Sequence, residues 1–167
     1  ESNTSPESEM VSDSLITSLY LGSYTSSRPY LATGFLSTLS NAELENRFLV
    51  ANRLFDVSKE MLVLRFKEIN PYDCGQGKCY KDTGINFDKS MWYLAAAGRS
   101  EMVFDKNIET AIADYNDTVV DWGQFDSGLI YYSPLEKQFS NPDFRARKNT
   151  KLIYRNPSVE IYEITAR

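Results

Sequence analysis

The sequence predicts a mostly β fold with one or two helices, built as a single domain. Segments with strand character outnumber those with helical spacing. The 167 residues, 42% hydrophobic and 25% charged, are enough for one core without support from a metal or disulfides. Residues 1–14 are polar and rich in serine, and we expect them to form a flexible N-terminal segment before a β-rich domain over residues 15–167.

Three segments define the predicted elements of the first half. Leu15–Leu31 combines aliphatic and tyrosine positions with many serines and threonines, which is typical of one or two strands. A capping box at Ser40–Glu43, followed by apolar residues at helical spacing, predicts a helix over Ser40–Phe55. Met61–Ile69 alternates in polarity and ends before a proline, and this pattern predicts a strand.

Strand signals dominate the second half. A short helix is predicted around Ile112 and Tyr115, because apolar residues recur there at helical spacing. Further strands are predicted at Val119-Val120, at Leu129–Tyr132, and in a closing hairpin formed by Lys151–Arg155 and Ser158–Ile164.

Charge and composition exclude several classes of function. The formal net charge is -5, from 18 basic and 23 acidic residues, whereas phosphate binding needs a concentrated basic face, so we expect no nucleic-acid partner. The chain has no histidine, which removes Ser-His-Asp and Cys-His catalytic systems and most transition-metal sites. No apolar run is as long as a membrane span, and we predict no catalytic nucleophile and no metal site.

Two cysteines, Cys74 and Cys79, bracket a short glycine-rich loop. A disulfide, half of a metal site and two free thiols are all compatible with this spacing, and we favour the disulfide. Acceptor patterns for N-glycosylation occur at Asn3 and Asn116. Together these features favour a secreted or organellar location.

Arg145 and Arg147 are two residues apart at the start of a β-like run, so a strand would point both guanidinium groups to one face. Either both groups face water, or they hold an anionic ligand. A carboxylate fits the second alternative, because the planar guanidinium fork binds it through paired hydrogen bonds.

Residues 22–28 (GSYTSSR) and 139–147 (FSNPDFRAR) resemble two motifs of the S-type phycobiliprotein chromophore (bilin) lyases, and together they cover about a tenth of the chain. The resemblance implies an antiparallel calycin/lipocalin-like barrel. Such a barrel would take up a linear tetrapyrrole and deliver it to a cysteine of a phycobiliprotein subunit. Arg28, Arg145 and Arg147 would then contact the propionates of the bilin.

The same resemblance adds three candidate ligand-binding residues. Tyr24 lies in the first motif, and Trp92 would form a pocket wall unless it is a core aromatic. Glu136 lies close to the position of a family acid but is one residue off when aligned on Asn141-Pro142, which on a strand would turn it to the other face. On this interpretation the protein binds an elongated anionic small molecule and needs no nucleophile, because the acceptor thiol belongs to the partner.

Two rival interpretations stay open. Residues 150–164 (TKLIYRNPSVEIYEI) resemble the closing hairpin of extracytoplasmic tail domains on archaeal-type membrane glycosyltransferases, and residues 28–36 are compatible with an early segment of those tails. That resemblance implies a noncatalytic mixed α/β module, and the strand predicted at Met61–Ile69 counts against it. The third alternative is a secreted interaction protein, which would show an exposed apolar patch without a cavity.

Overall fold

The computed structural model describes residues 8–31, 39, 41–62, 112–125 and 128–165. The strands are β1 (Glu9–Val11), β2 (Arg28–Pro29), β3 (Leu129–Tyr132), β4 (Thr150–Arg155) and β5 (Glu160–Ile164). The two longer helices are α1 (Leu15–Tyr24) and α2 (Asn41–Leu54), and residues 59–62 and 112–117 are also helical. Short 3-10 helices occupy Trp122–Phe125, Glu136–Gln138 and Phe144–Ala146.

The strands form one mixed sheet in the order β2-β1-β3-β5-β4. Strand β1 pairs in parallel with β2 and with β3, whereas β5 pairs antiparallel with β3 and with β4. The unit β1-α1-β2 is therefore a parallel crossover whose helix lies between its two strands in sequence. Among the described residues no helix is long and apolar enough to cross a membrane.

The prediction of a sheet-rich fold with helices is confirmed, but the described strands do not form the antiparallel calycin/lipocalin-like barrel. Two of the four strand pairings are parallel, and β2 and β4 are the edges of an open sheet. Parallel neighbours need crossover connections, which an up-and-down antiparallel barrel does not contain. The helix predicted at Ser40–Phe55 is confirmed as α2, and the closing hairpin is confirmed as β4 and β5.

The strand prediction for Leu15–Leu31 is wrong over most of its length, because Leu15–Tyr24 is helical. The side chain of Ser14 caps the helix by accepting a hydrogen bond from the backbone N–H of Thr17. At the other end, both the hydroxyl and the backbone N–H of Thr25 donate to the carbonyl of Leu21. Serine, threonine and tyrosine have modest helix propensity, so composition concealed a helix that its cap and its packing stabilise.

Three further predictions need correction. Met61 and Leu62 belong to a helical turn, and Val119-Val120 is not a strand. Strand β1 and the buried residues after it lie inside the predicted N-terminal segment 1–14, so residues 8–14 belong to the fold. Residues 63–69, Cys74, Cys79, Trp92 and Asn3 lie outside the described residues, and the predictions for them stay predictions.

Hydrophobic residues cover both faces of the sheet. Neighbouring strand positions alternate between the faces, so that Val11 and Ile130 join the large core cluster with α2, whereas Met10 and Leu129 meet Leu21 of α1. Helix α1 thus packs on one face and α2 on the other.

Phe144 joins several parts of the large cluster. Its ring centroid lies 5.3 Å from that of Phe55, 5.5 Å from that of Tyr132 and 5.3 Å from that of Tyr162. The side chain is almost completely buried. It therefore connects the end of α2 to strands β3 and β5.

We expect Phe144→Ala to lower the free energy of unfolding by about 3–5 kcal/mol, because it opens a cavity among three rings. Urea denaturation followed by circular dichroism measures the loss. Val119→Ala is the matched control, since Val119 is 80% exposed, and it should cost less than about 0.5 kcal/mol. Equal losses in the two variants would show that Phe144 does not organise the core.

Candidate functional site

The carboxyl ends of β1 and β3 meet at a point where the chain changes sides of the sheet. From β1 the chain enters α1, which packs on one face, and it reaches β3 only after α2, which packs on the opposite face. Open sheets with parallel strands bind ligands in the crevice beyond the carboxyl ends at such a switch point. The residues that follow these strands are therefore the first candidates for a site.

A buried carboxylate joins the two strand ends. Glu136 is fully buried, and its Oε1 accepts a hydrogen bond of 2.7 Å from the hydroxyl of Ser12, just after β1. Its Oε2 accepts from the backbone N–H of Ser133, just after β3, at 2.8 Å, and also from the hydroxyl of Ser133. The Ser12 hydroxyl in turn accepts a hydrogen bond from the backbone N–H of Ser14, the N-cap of α1. One side chain thus connects β1, β3 and the start of α1.

Within the described residues, this carboxylate lies among neutral hydrogen-bond donors. In the part of the chain that the structure describes, Glu136 has no ion pair with Lys or Arg, so neutral donors alone satisfy it. Asp13, the neighbour of Ser12 in the sequence, is also fully buried just after β1. Burial raises the pKa of Tyr132 to about 12, and the charge of Asp13 is the next contribution. Burial likewise raises the pKa of Tyr131, with the charge of Glu136 adding to the effect.

A groove of about 320 Å³ opens between α1 and the carboxyl end of β3, and we call it the tyrosine groove. Helix α1 contributes Thr17, Tyr20, Leu21 and Tyr24, and the other wall consists of Tyr131, Ser133 and Leu135. The rings of Tyr20 and Tyr24 are stacked, with centroids 6.0 Å apart and planes 24° apart. Among the described residues that line the groove, none is basic.

One groove residue carries an unused hydrogen-bonding group. The hydroxyl of Thr17 is buried and has no partner among the described residues, and the same holds for the hydroxyl of its neighbour Ser18. Buried polar groups are nearly always satisfied, so an unsatisfied hydroxyl in a groove wall is a place where a ligand or a water can bind.

Of the predicted ligand-binding residues, the structure brings Tyr24 and Glu136 to this region. Tyr24 lines the groove and is 81% exposed, whereas Glu136 lies behind the groove wall and reaches it through Ser133. Arg28 is exposed on β2, which is an edge strand. Trp92 lies outside the described residues.

The guanidinium groups of Arg145 and Arg147 do not share a face, because Phe144–Ala146 is a 3-10 helix and not a strand. Arg145 forms an ion pair of 2.5 Å with Glu160 on β5. Hydrogen bonds, first from Tyr162 and then from Arg145, lower the pKa of Glu160 below its ordinary value of 4.5. Arg145 therefore has a partner within the protein.

Arg147 holds the end of α2. One guanidinium nitrogen donates to the carbonyl of Leu54, the last residue of the helix, and another forms an ion pair of 2.6 Å with Asp56. Asp56 has a positive φ of 52°, which belongs to the chain reversal after the helix. A cation at a helix carboxyl terminus also stabilises the helix dipole. The contacts of Arg147 are thus those of a structural residue.

Sequence reasoning missed Ser12, Asp13 and Ser133. A signal for the first two was present, because a short apolar pair, Met10-Val11, precedes Ser-Asp-Ser, which is the pattern of a strand end followed by a helix N-cap. Nothing in the sequence indicated that Ser133 and Ser12 would meet at the same carboxylate, since they are far apart in the chain.

Comparison of the chain with protein-family models, with curated proteins and with solved structures finds no match. In the described ranges no group of three or more His, Cys, Asp or Glu side chains is placed to hold a metal ion. The case for the site therefore depends on the geometry and the charges of its own residues.

We expect Ser12→Ala to destabilise the protein by about 1.5–3 kcal/mol, because it removes a hydrogen bond to a buried charged group. Thermal and urea unfolding measure the change. Ser18→Ala is the matched control: Ser18 is also a buried serine, but its hydroxyl has no described partner, so its removal should be neutral or slightly stabilising. A Ser12→Ala variant as stable as Ser18→Ala would mean that the network does not tie the strands together.

Proposed function

We propose that this chain is a ligand-binding domain without catalytic groups of its own, and that the tyrosine groove holds a small molecule. The observation that carries the proposal is a groove of about 320 Å³ at the carboxyl ends of two parallel strands. This volume lies within the usual range of small-molecule sites, and the groove combines aromatic and apolar walls with a few hydroxyls. The hydroxyl of Thr17, which has no partner among the described residues, adds a buried polar group beside the groove.

For the role of this domain, we favour a noncatalytic extracytoplasmic tail domain of an archaeal-type membrane glycosyltransferase. Its expected mixed α/β architecture agrees with the β1-α1-β2 crossover and the mixed sheet. Its expected closing hairpin agrees with β4 and β5. The strand at Met61–Ile69 that counted against this role is not found at Met61 and Leu62, which are helical. These points support a binding module attached to an enzyme.

Binding of a linear tetrapyrrole, with delivery to a phycobiliprotein, is the second candidate. Tyr24 in the groove and Glu136 behind its wall favour it, because a buried acid can balance protonated pyrrole nitrogens. Its cationic clamp would require Arg145 to exchange Glu160 for a propionate, and Arg147 to release Leu54 and Asp56. The first candidate needs no such rearrangement.

We expect fragment-sized probes to bind in the tyrosine groove. In an NMR titration with a panel of neutral, cationic and anionic fragments, the backbone amides of Thr17, Tyr131 and Ser133 should shift most. Leu135→Trp should abolish these shifts by filling the groove, whereas Val119→Trp, at an exposed position, should leave them unchanged. Shifts that cluster elsewhere, or a panel of which no member binds, would overturn the proposal.

The tetrapyrrole candidate has its own test in visible absorption. If it is correct, added biliverdin should gain intensity and shift in wavelength, and Arg145→Gln should weaken binding about ten- to a hundredfold, because a charge-assisted contact is lost. Lys151→Gln, an exposed cation on β4, is the matched control. An unchanged spectrum would exclude the tetrapyrrole and leave the fragment titration to decide on binding in general.

A further inference from the structure

Among the described residues, the buried charge next to the tyrosine groove is negative. Glu136 is fully buried and contacts Ser133 of the groove wall directly. Water screens a buried charge less than an exposed one, so the field of Glu136 extends into the adjoining groove. Lys137 follows Glu136 in sequence, but its ammonium group lies over the ring of Tyr132, 5.0 Å from the centroid, and Tyr132 belongs to the core of the other sheet face. The groove is therefore unfavourable for an anion.

The walls of the groove present aromatic surfaces to the same space. Tyr20 and Tyr24 are one turn apart on α1, and Tyr131 lies on the opposite wall. The face of an aromatic ring carries partial negative charge and attracts cations within about 6 Å of the centroid. Tyr20 and Tyr24 are 59% and 81% exposed, which leaves their rings accessible to a ligand. The aromatic faces and the buried carboxylate of Glu136 thus both favour a cationic ligand.

The shape of the site selects among cations. A small metal ion needs direct oxygen ligands, but the carboxylate of Glu136 is enclosed and already accepts hydrogen bonds from Ser12 and Ser133. A weakly hydrated organic cation needs no such ligands, because it gains from ring faces and from the field of charges at some distance. A groove of about 320 Å³ also accommodates a group larger than an ion.

From these observations we propose that the tyrosine groove binds a quaternary or methylated ammonium group, held between Tyr20, Tyr24 and Tyr131 in front of the buried carboxylate of Glu136. The inference rests on the proposed binding function and adds to it the charge and the shape of the ligand. Glu136 acts through its field, and the tyrosines make the contact.

A pair of isosteric probes tests the charge directly. Choline and 3,3-dimethyl-1-butanol have the same shape, but only choline carries a charge. In NMR titrations of the wild-type chain we expect choline to bind at least tenfold more tightly than the neutral isostere, with shifts centred on Thr17, Tyr131 and Ser133. Succinate, as an anionic probe, should cause no shifts in the groove.

Variants of Tyr24 and Glu136 distinguish the loss of a ligand contact from the loss of folding. Tyr24→Leu should weaken choline binding several-fold, whereas Tyr24→Phe should retain it, because the ring face and not the hydroxyl makes the contact. Tyr24 is 81% exposed, so both variants should fold, and thermal unfolding verifies this. Glu136→Gln keeps the size of the side chain and removes its charge, and it should lower the affinity ratio of choline to its isostere, while the tyrosine faces retain part of the preference.

Two results would overturn the inference: equal binding of choline and its isostere, or choline binding that Tyr24→Leu leaves unchanged. If the isostere still shifts the groove amides, the proposed binding function survives and only the preference for cations falls. If neither probe nor any member of the fragment panel shifts them, both proposals fall.

Discussion

The carboxylate of Glu136 is the interaction on which the arrangement of the groove depends. It accepts hydrogen bonds from residues just after β1 and just after β3, and through Ser12 it also connects to the N-cap of α1. The two walls of the groove, α1 and the end of β3, are thus held in register by one buried group. Glu136 has no ion pair among the residues that the structure describes, which is unusual for a buried charge, and it is tolerable here because its donors are fixed in place.

The fold explains why such a group can lie at this edge of the sheet. Parallel strands bring their carboxyl ends to the same edge, and the change of side between α1 and α2 leaves a crevice there. Polar residues in the two loops can then satisfy one another. The hydrophobic clusters on both faces keep the strands in place, so the polar network is supported by packing and does not have to stabilise the sheet alone.

Arg145 and Arg147 make structural contacts within the protein. Arg147 closes the end of α2, and Arg145 pairs with Glu160 on β5, so both guanidinium groups have protein partners at a distance in sequence. Their spacing of two residues invited a strand interpretation, but Asp143 accepts hydrogen bonds from the backbone N–H groups of Arg145 and Ala146 and thereby starts a 3-10 helix. The side chains of Arg145 and Arg147 therefore contact different elements, β5 and the end of α2.

The sequence by itself determined the elements whose signals are local: α2, with helical spacing after a capping box, the strand at Leu129–Tyr132, and the hairpin of β4 and β5 around Asn156-Pro157. It misidentified α1, because hydroxyl-rich composition resembles that of a strand while capping and packing favour a helix. Only the tertiary structure decided the parallel pairing of β1 with β3 and the meeting of Ser12, Ser133 and Glu136. The physical reason is that Ser12 and Glu136 are 124 positions apart, and no local preference of the chain encodes a contact at that separation.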